Sequence, residues 1–344
     1  MTLFSIAMYF YDPLHIFSNP NNLYSGKMRY QAVGYLNNKS VTGLIIGSSM
    51  LENTDQSEAS KKLNESFINI SLKGSSFAER KIILDYAVKK QKIKKIVYAL
   101  EVLPVHFLNT QGMPWEKLYD NNPLNDITVY YKFDYLKCLL TNSKKEKCVG
   151  RETDINRPTE WMSDPMYVNS FNGVCSWPIP SKLYLYNNLK NYSKDTLHFK
   201  YDEKYLTNYT QNNILSLLDK HKSIDFFFVM PPYSAPFYKL IVKNDPDLLK
   251  WMDNYLKYFA SECDKRKNCN LYGYSDMKFT TDLHYYKDSN HYKDTVNSLM
   301  LDSIKENTHR VTEDNLGTYI KNSLNVIESV DLGDIEKVIS TCMK

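Results

Sequence analysis

Short apolar runs separated by segments of helical spacing set the rhythm of the first part of the chain. Residues 44–47, 93–100 and 224–230 are dominated by Leu, Ile, Val and Phe, which predicts short parallel strands buried on both faces. Between the first two runs, residues 59–63 and 76–88 repeat apolar positions at helical spacing, with Glu79 and Arg80 placed on a polar face. Strand, helix and strand in this order imply right-handed crossovers and an open α/β sheet whose carboxyl edge collects any site.

From about residue 104 to about 206 the rhythm is lost. Trp115, Trp161, Trp177, several prolines and the run Lys144-Lys145-Glu146-Lys147 replace it. Aromatic-rich loops at strand ends commonly shape pockets, so this insertion reads as a cap or as a structural excursion packed on the sheet. After Pro231-Pro232, residues 247–262 place Leu248, Leu249, Met252, Tyr255, Leu256 and Phe259 at spacings of three and four, which predicts an amphipathic helix. Residues 270–274 read as the last strand, 296–304 as a helix and 311–339 as a helical tail. The expected organisation is an N-terminal segment over residues 1–40, an α/β domain over 41–310 carrying the insertion, and a tail over 311–344.

Composition narrows the class. A chain of 344 residues, 43% hydrophobic, can bury a large core as one elaborated domain. A formal net charge of +4 with 24% charged residues is too mild and dispersed for a nucleic-acid partner. The 28 tyrosines accompany abundant Lys and Asn, a codon-bias signature, although exposed tyrosines also suit stacking on sugar rings. No window reaches the roughly 18 consecutive apolar residues of a spanning helix. Residues 1–11 form an apolar run that ends at Asp12-Pro13, and read either as the stub of a signal anchor or as a buried first helix or strand. Of the six cysteines, Cys138 with Cys148 and Cys263 with Cys269 could each close a short loop, while Cys175 and Cys342 stand alone. Local pairs favour an oxidising compartment, with reduced buried thiols as the alternative. No Cys-x-x-Cys pair supports a metal site, and no cofactor is expected.

Two segments carry candidate chemistry. Val41-Thr42-Gly43-Leu44-Ile45-Ile46-Gly47-Ser48-Ser49 reads as a buried strand that stops at Gly-Ser-Ser, and Asp288-Ser289-Asn290-His291 offers a carboxylate and an imidazole three residues apart. A serine hydroxyl needs an imidazole to take its proton and a carboxylate to fix the imidazole tautomer. A helix starting just after the Gly-Ser-Ser turn would aim N–H donors at the same spot. Asp282-Leu283-His284 is a competing Asp–His pair.

These segments resemble the SGNH or GDSL-like hydrolases. Gly47-Ser48-Ser49-Met50 looks like the first block of that family, with Ser49 as nucleophile, and Asp288 and His291 like the last. Phe67-Ile68-Asn69-Ile70-Ser71-Leu72-Lys73-Gly74 resembles the second block, whose glycine, here Gly74, donates a backbone N–H to the oxyanion alongside the Ser49 amide. Tyr11-Asp12-Pro13, Met230-Pro231-Pro232-Tyr233-Ser234 and the Tyr-x-Asp-x-x-His-Tyr ending are similar to an extracytoplasmic bacterial branch, related to D-alanyl-lipoteichoic acid transfer proteins and alginate-type acetyltransferases. The alternative dyad Asp282 and His284 has the spacing of some of the latter.

The resemblance implies a three-layer α/β/α fold of SGNH/flavodoxin-like type with a mainly parallel sheet. It also implies an esterase or O-acyltransferase acting on an acylated envelope glycan or a small ester. A lipase or thioesterase of the same fold and an inactive binding protein are the alternatives. A membrane-bound O-acyltransferase is the partner it suggests. The implied location is periplasmic or cell-surface, with membrane proximity through an N-terminal anchor. Two departures matter: Ser48 stands where the family usually has aspartate before the nucleophile, a frequent variation, and, more seriously, where the third block carries an asparagine that donates to the oxyanion, this chain has Glu101 after the strand. Either the oxyanion hole has fewer donors, or Asn69 substitutes, or activity is lost.

Overall fold

The computed structural model describes residues 3–18, 23–24, 26–109, 112–152, 156, 161, 167–191 and 202–343. A two-residue strand, β1 (Leu23–Tyr24), pairs antiparallel with β5 (Arg151–Glu152) in a small ribbon. The main sheet runs β3-β2-β4-β6-β7-β8, with β2 at Gly43–Ile46, β3 at Phe67–Asn69, β4 at Lys95–Ala99, β6 at Asp225–Met230, β7 at Cys269–Gly273 and β8 at Arg310–Val311. Neighbours are parallel except β7 and β8. The apolar runs therefore become the strands they predict. The segment at 270–274 is not the last strand, because β8 adds an antiparallel edge beyond it, with Leu271 opposite Val311.

Helices α1 (Leu3–Tyr11) and α2 (Met28–Asn38) precede the sheet, α3 (Gln56–Leu63) links β2 to β3, and α4 (Phe77–Lys90) links β3 to β4. The β2–β3 and β3–β4 crossovers run in opposite directions along the sheet, so right-handedness puts their helices on opposite faces. The core agrees. Leu44 and Ile46 of β2 pack in one apolar cluster with Ile83 and Leu84 of α4, while Ile45 packs in the other with Ala59 and Leu63 of α3. Burial on both faces is why these strands read as continuous apolar runs rather than as alternating ones.

The insertion carries α5 (Pro123–Asp126), α6 (Phe133–Leu140), α7 (Glu146–Val149) and α8 (Ile179–Lys190), then α9 (Glu203–Thr210) and α10 (Ser216–Lys220) lead into β6. Much of it is structural: Trp115, Tyr119, Val129 and Tyr130 lie in the main core. Residues 110–111, 153–155, 157–160, 162–166 and 192–201 of the expected cap, and residues 1–2 of the expected anchor segment, lie outside the described residues. Helices α11 (Ala235–Asn244) and α12 (Pro246–Asp264) join β6 to β7, and α12 buries Leu248, Met252, Tyr255 and Phe259 on one face. Helix α13 (Asp294–Glu306) follows β7. The single tail expected over 311–339 is strand β8 followed by two helices, α14 (Glu313–Glu328) and α15 (Leu332–Cys342).

All six cysteines pair, as Cys138–Cys148, Cys263–Cys269 and Cys175–Cys342. The third bond ties the end of the chain to the insertion across 167 residues of sequence, a separation that local spacing could not reveal. The placement of Glu79 and Arg80 on a polar face is wrong. Glu79 closes a capping box on Ser76, accepting from its N–H at 2.9 Å, and Arg80 is wholly buried. Helix amphipathicity misplaces both because their charges are satisfied inside the protein.

Candidate active site

The strand order reverses direction at β2 and β4, and a crevice at the carboxyl ends of strands opens where such a reversal occurs. Residues 47–49 leave β2 there. A Cβ on Gly47 would come within 2.8 Å of the Ala99 side chain, so only glycine lets the turn pass this close to β4. The Gly47 carbonyl accepts from Leu72 N–H at 2.8 Å and from Ser75 Oγ at 3.2 Å, which lays the loop after β3 against the turn.

Both neighbours of Ser49 are anchored. Ser48 Oγ donates to Glu101, the residue two positions beyond the end of β4. The Met50 carbonyl accepts from Tyr292 Oη at 2.9 Å and Asn297 Nδ2 at 3.3 Å. Ser49 Oγ between them lies 2.8 Å from His291 Nε2. On the other side of the ring, His291 Nδ1 lies 3.0 and 2.9 Å from the two Asp288 oxygens. Asp288 also accepts from the backbone N–H of Asn290 at 2.9 Å and of His291 at 2.8 Å, and from Lys287 Nζ at 3.0 Å. Burial alone would push the Asp288 carboxyl up. The adjacent His291, its hydrogen bonds and the Lys287 ammonium outweigh burial and hold it well below the usual carboxylate range.

The loop carrying Asp288 and His291 is fixed from several directions. Tyr286 Oη donates to Pro232 O at 3.1 Å, Ser234 Oγ to Ser289 O at 2.7 Å, and Trp177 Nε1 to Tyr286 O at 2.7 Å. Trp161 from the insertion stands edge-on to His291 with ring centroids 5.0 Å apart. Lys287 Nζ lies 4.6 Å from the Trp161 ring centre and 4.3 Å from that of Tyr167. A cleft of about 1000 Å³ opens over Ser49 and His291, and Lys73, Lys145, Lys147 and Lys287 line it.

The sequence-derived candidates divide clearly. Ser49, His291 and Asp288 come together in hydrogen-bonded series. Gly74 sits on the loop that binds Gly47, in an exposed turn at φ +58 that suits glycine. Among the described residues, neither the Ser49 nor the Gly74 amide donates to another protein atom. Asn69 is not an oxyanion donor. It is buried, its Nδ2 donates to Leu51 O at 2.7 Å and Thr54 O at 2.9 Å, and its Oδ1 accepts from Ser71 N–H at 3.0 Å, so its amide braces the turns after Ser49. The helix expected immediately after Gly-Ser-Ser begins only at Gln56, capped by Asp55, with turns between. Asp282 and His284 do pair, with Nδ1 at 2.8 Å, but on an exposed surface and without Ser49.

Glu101 has a role the sequence did not reveal. It is fully buried in an ion pair with Arg80, beside His106 Nε2 at 3.7 Å. Arg80 also donates to Ser75 Oγ at 2.7 Å and to Ala99 O at 2.6 Å. Burial would raise the Glu101 carboxyl, but His106, Arg80 and the Ser48 hydroxyl outweigh it and lower it, so it stays ionised. A carboxylate accepts and cannot donate, so Glu101 positions the Ser48–Ser49 turn and does not replace the oxyanion donor. The signals available were a charge at the end of an apolar strand and an arginine in a helix, neither of which names its partner.

Among the described residues, no cluster of three or more His, Cys, Asp or Glu side chains is arranged to hold a metal ion. No helix among them is long and apolar enough to cross a membrane. No protein-family model matches this chain, and no curated protein is significantly similar to it.

Proposed function

We propose that this chain is an SGNH-type serine esterase or O-acyltransferase with a three-layer α/β/α architecture. It would act outside the cytoplasm on acyl groups of an envelope glycan. The observation that carries the reading is the series Ser49 Oγ, His291 Nε2, His291 Nδ1 and Asp288, each step at 2.8 to 3.0 Å. In this reading Ser49 Oγ attacks the acyl carbon while its proton passes to His291 Nε2, and the Ser49 and Gly74 amides hold the oxyanion. Collapse expels the alcohol oxygen, which takes that proton, and leaves an acyl group on Ser49. Water or a glycan hydroxyl then gives its proton to His291 and removes the acyl group by the reverse steps. A membrane-bound O-acyltransferase would be the partner supplying the acyl group. The three disulfides support an oxidising compartment. The cleft mixes charged groups (Lys73, Lys145, Lys147, Lys287, Glu52) with apolar ones (Leu14, Trp161, Tyr167), so it is not the strongly apolar pocket that would favour the lipase or thioesterase reading.

The test is covalent trapping. Incubation with a chromogenic acetyl ester, or with a fluorophosphonate, followed by peptide mass spectrometry should locate one adduct, on Ser49. Absence of both turnover and adduct would favour a binding protein that keeps the fold without the chemistry.

A further inference from the structure

We propose that α1 and α6 together form a docking surface for an anionic lipid bilayer. This stands on the surface alone and does not rest on the catalytic reading. In α1, Leu3, Ile6 and Phe10 recur at i, i+3 and i+7 and face outward, with Leu3 and Phe10 more than four-fifths exposed, while Ser5 and Met8 face inward. In α6, Phe133 and Leu140 lie seven residues apart on the exposed side, each more than three-quarters exposed, while Tyr135 and Cys138 are buried. The two helices pack together, and α1 is also tied to the residues flanking α6, with Ser5 Oγ 2.8 Å from Tyr131 Oη, Phe4 against Tyr131, and Tyr11 Oη donating to Ser143 O. Single exposed apolar residues are ordinary, but two adjacent helices turning apolar stripes outward make a patch.

Charge decides what covers it. Helix α1 carries no charged residue, and residues 132–147 hold five lysines against the two carboxylates of Asp134 and Glu146. Lys132, Lys137 and Lys144 are exposed and line one groove beside the apolar stripe of α6. Long apolar side chains edged by ammonium groups match the boundary between acyl chains and phosphate headgroups. A second copy of the chain would instead bring lysine rims of the same sign together. With nine residues in α1 and eight in α6, these two helices are too short to span a bilayer and would lie in its interface. Lys145 and Lys147 line both this groove and the cleft over Ser49, so docking would set the cleft mouth beside the lipid surface.

The test is co-sedimentation of the full chain with phosphatidylcholine vesicles, with and without about 30% phosphatidylglycerol. Binding is expected on the anionic vesicles only, and should weaken as salt rises. Phe133→Ser with Leu140→Ser should bind at least about tenfold more weakly. Lys132→Gln, Lys137→Gln and Lys144→Gln together should lose about 100-fold, at roughly fivefold per lysine. The lysine variant changes only exposed side chains, so its circular dichroism and its turnover of a soluble ester should match the parent. Equal binding to neutral vesicles, no binding to either, or a dimer in sedimentation velocity that Phe133→Ser dissolves would each overturn the proposal. Vesicle binding without ester turnover would leave it intact and sink only the catalytic reading.

Discussion

Two aspartate–histidine pairs share one stretch of this chain, and their chemistry is nearly the same. His284 Nδ1 lies 2.8 Å from Asp282, and His291 Nδ1 lies 2.9 Å from the nearer oxygen of Asp288. Their surroundings are opposite. The His284 side chain is 66% exposed, where water screens the pair and the interaction counts for little. His291 stands under Trp161, its aspartate accepts two backbone N–H groups and the Lys287 ammonium, and its free nitrogen meets a serine whose two neighbours are anchored. The pair is common; a serine on the other face of the ring and a shell that holds both are not.

The sharpest way to break this comparison is to delete one histidine at a time. Ser49→Ala and His291→Ala should each lower ester turnover by about 10⁴-fold or more, and the double variant should be little worse, because the residues act as one unit. His284→Ala should stay within about twofold of the parent, as a surface change away from the site does. Initial rates on a soluble acetyl ester decide it, and equal loss from His284→Ala would move the base to the exposed pair.

Asp288→Asn probes the orienting group and should cost about 10³–10⁴ in kcat by favouring the wrong tautomer. It should also change acid stability with a definite sign. The folded-state carboxyl is lowered, so its stabilisation is complete above the unfolded value of about 3.9 and is lost as pH falls through the folded one. The stability gap between parent and Asp288→Asn, read from urea midpoints, should be flat above about pH 5 and narrow below about pH 4. A gap that widens on acidification would contradict the assignment.

The Ser49 side of the hydrogen-bonded series is tested through Glu101. Glu101→Ala leaves Arg80 buried and unpaired, and should cost about 3–5 kcal/mol of folding free energy, measured by urea denaturation. Glu101→Gln keeps an acceptor for Ser48 and should recover part of the turnover lost in Glu101→Ala. If both variants keep parental stability and rate, Glu101 does not position the turn. Among the substitutions in the site itself, the smallest loss is expected from Trp161→Ala, which removes a ring from beside His291 without touching a proton path. It should lower turnover by about tenfold or less, because the imidazole loses the ring that limits its motion. Turnover equal to the parent would make Trp161 a packing residue only.

The sequence by itself determined β2, β4 and β6, because a strand buried on both faces reads as an apolar run, as residues 44–46 and 226–230 do, whereas β3 was not read as a strand and β8 opens what was expected to be a helical tail. It also marked Ser49, Asp288 and His291, since Gly-Ser-Ser after such a strand and a carboxylate three residues before a histidine are local patterns. Other features were not legible. Asn69 looked like a donor for the cleft and is consumed by Leu51 and Thr54; Arg80 looked like surface and is buried against Glu101; Cys175 gave no sign of Cys342. Spacing alone left two histidines, and the resemblance of the residues around His291 to the family ending favoured that one. The contact itself was decided by the tertiary structure, because Ser49 and His291 are 242 residues apart in sequence, and a hydrogen bond depends on which atoms the packed sheet and loops bring within 3 Å.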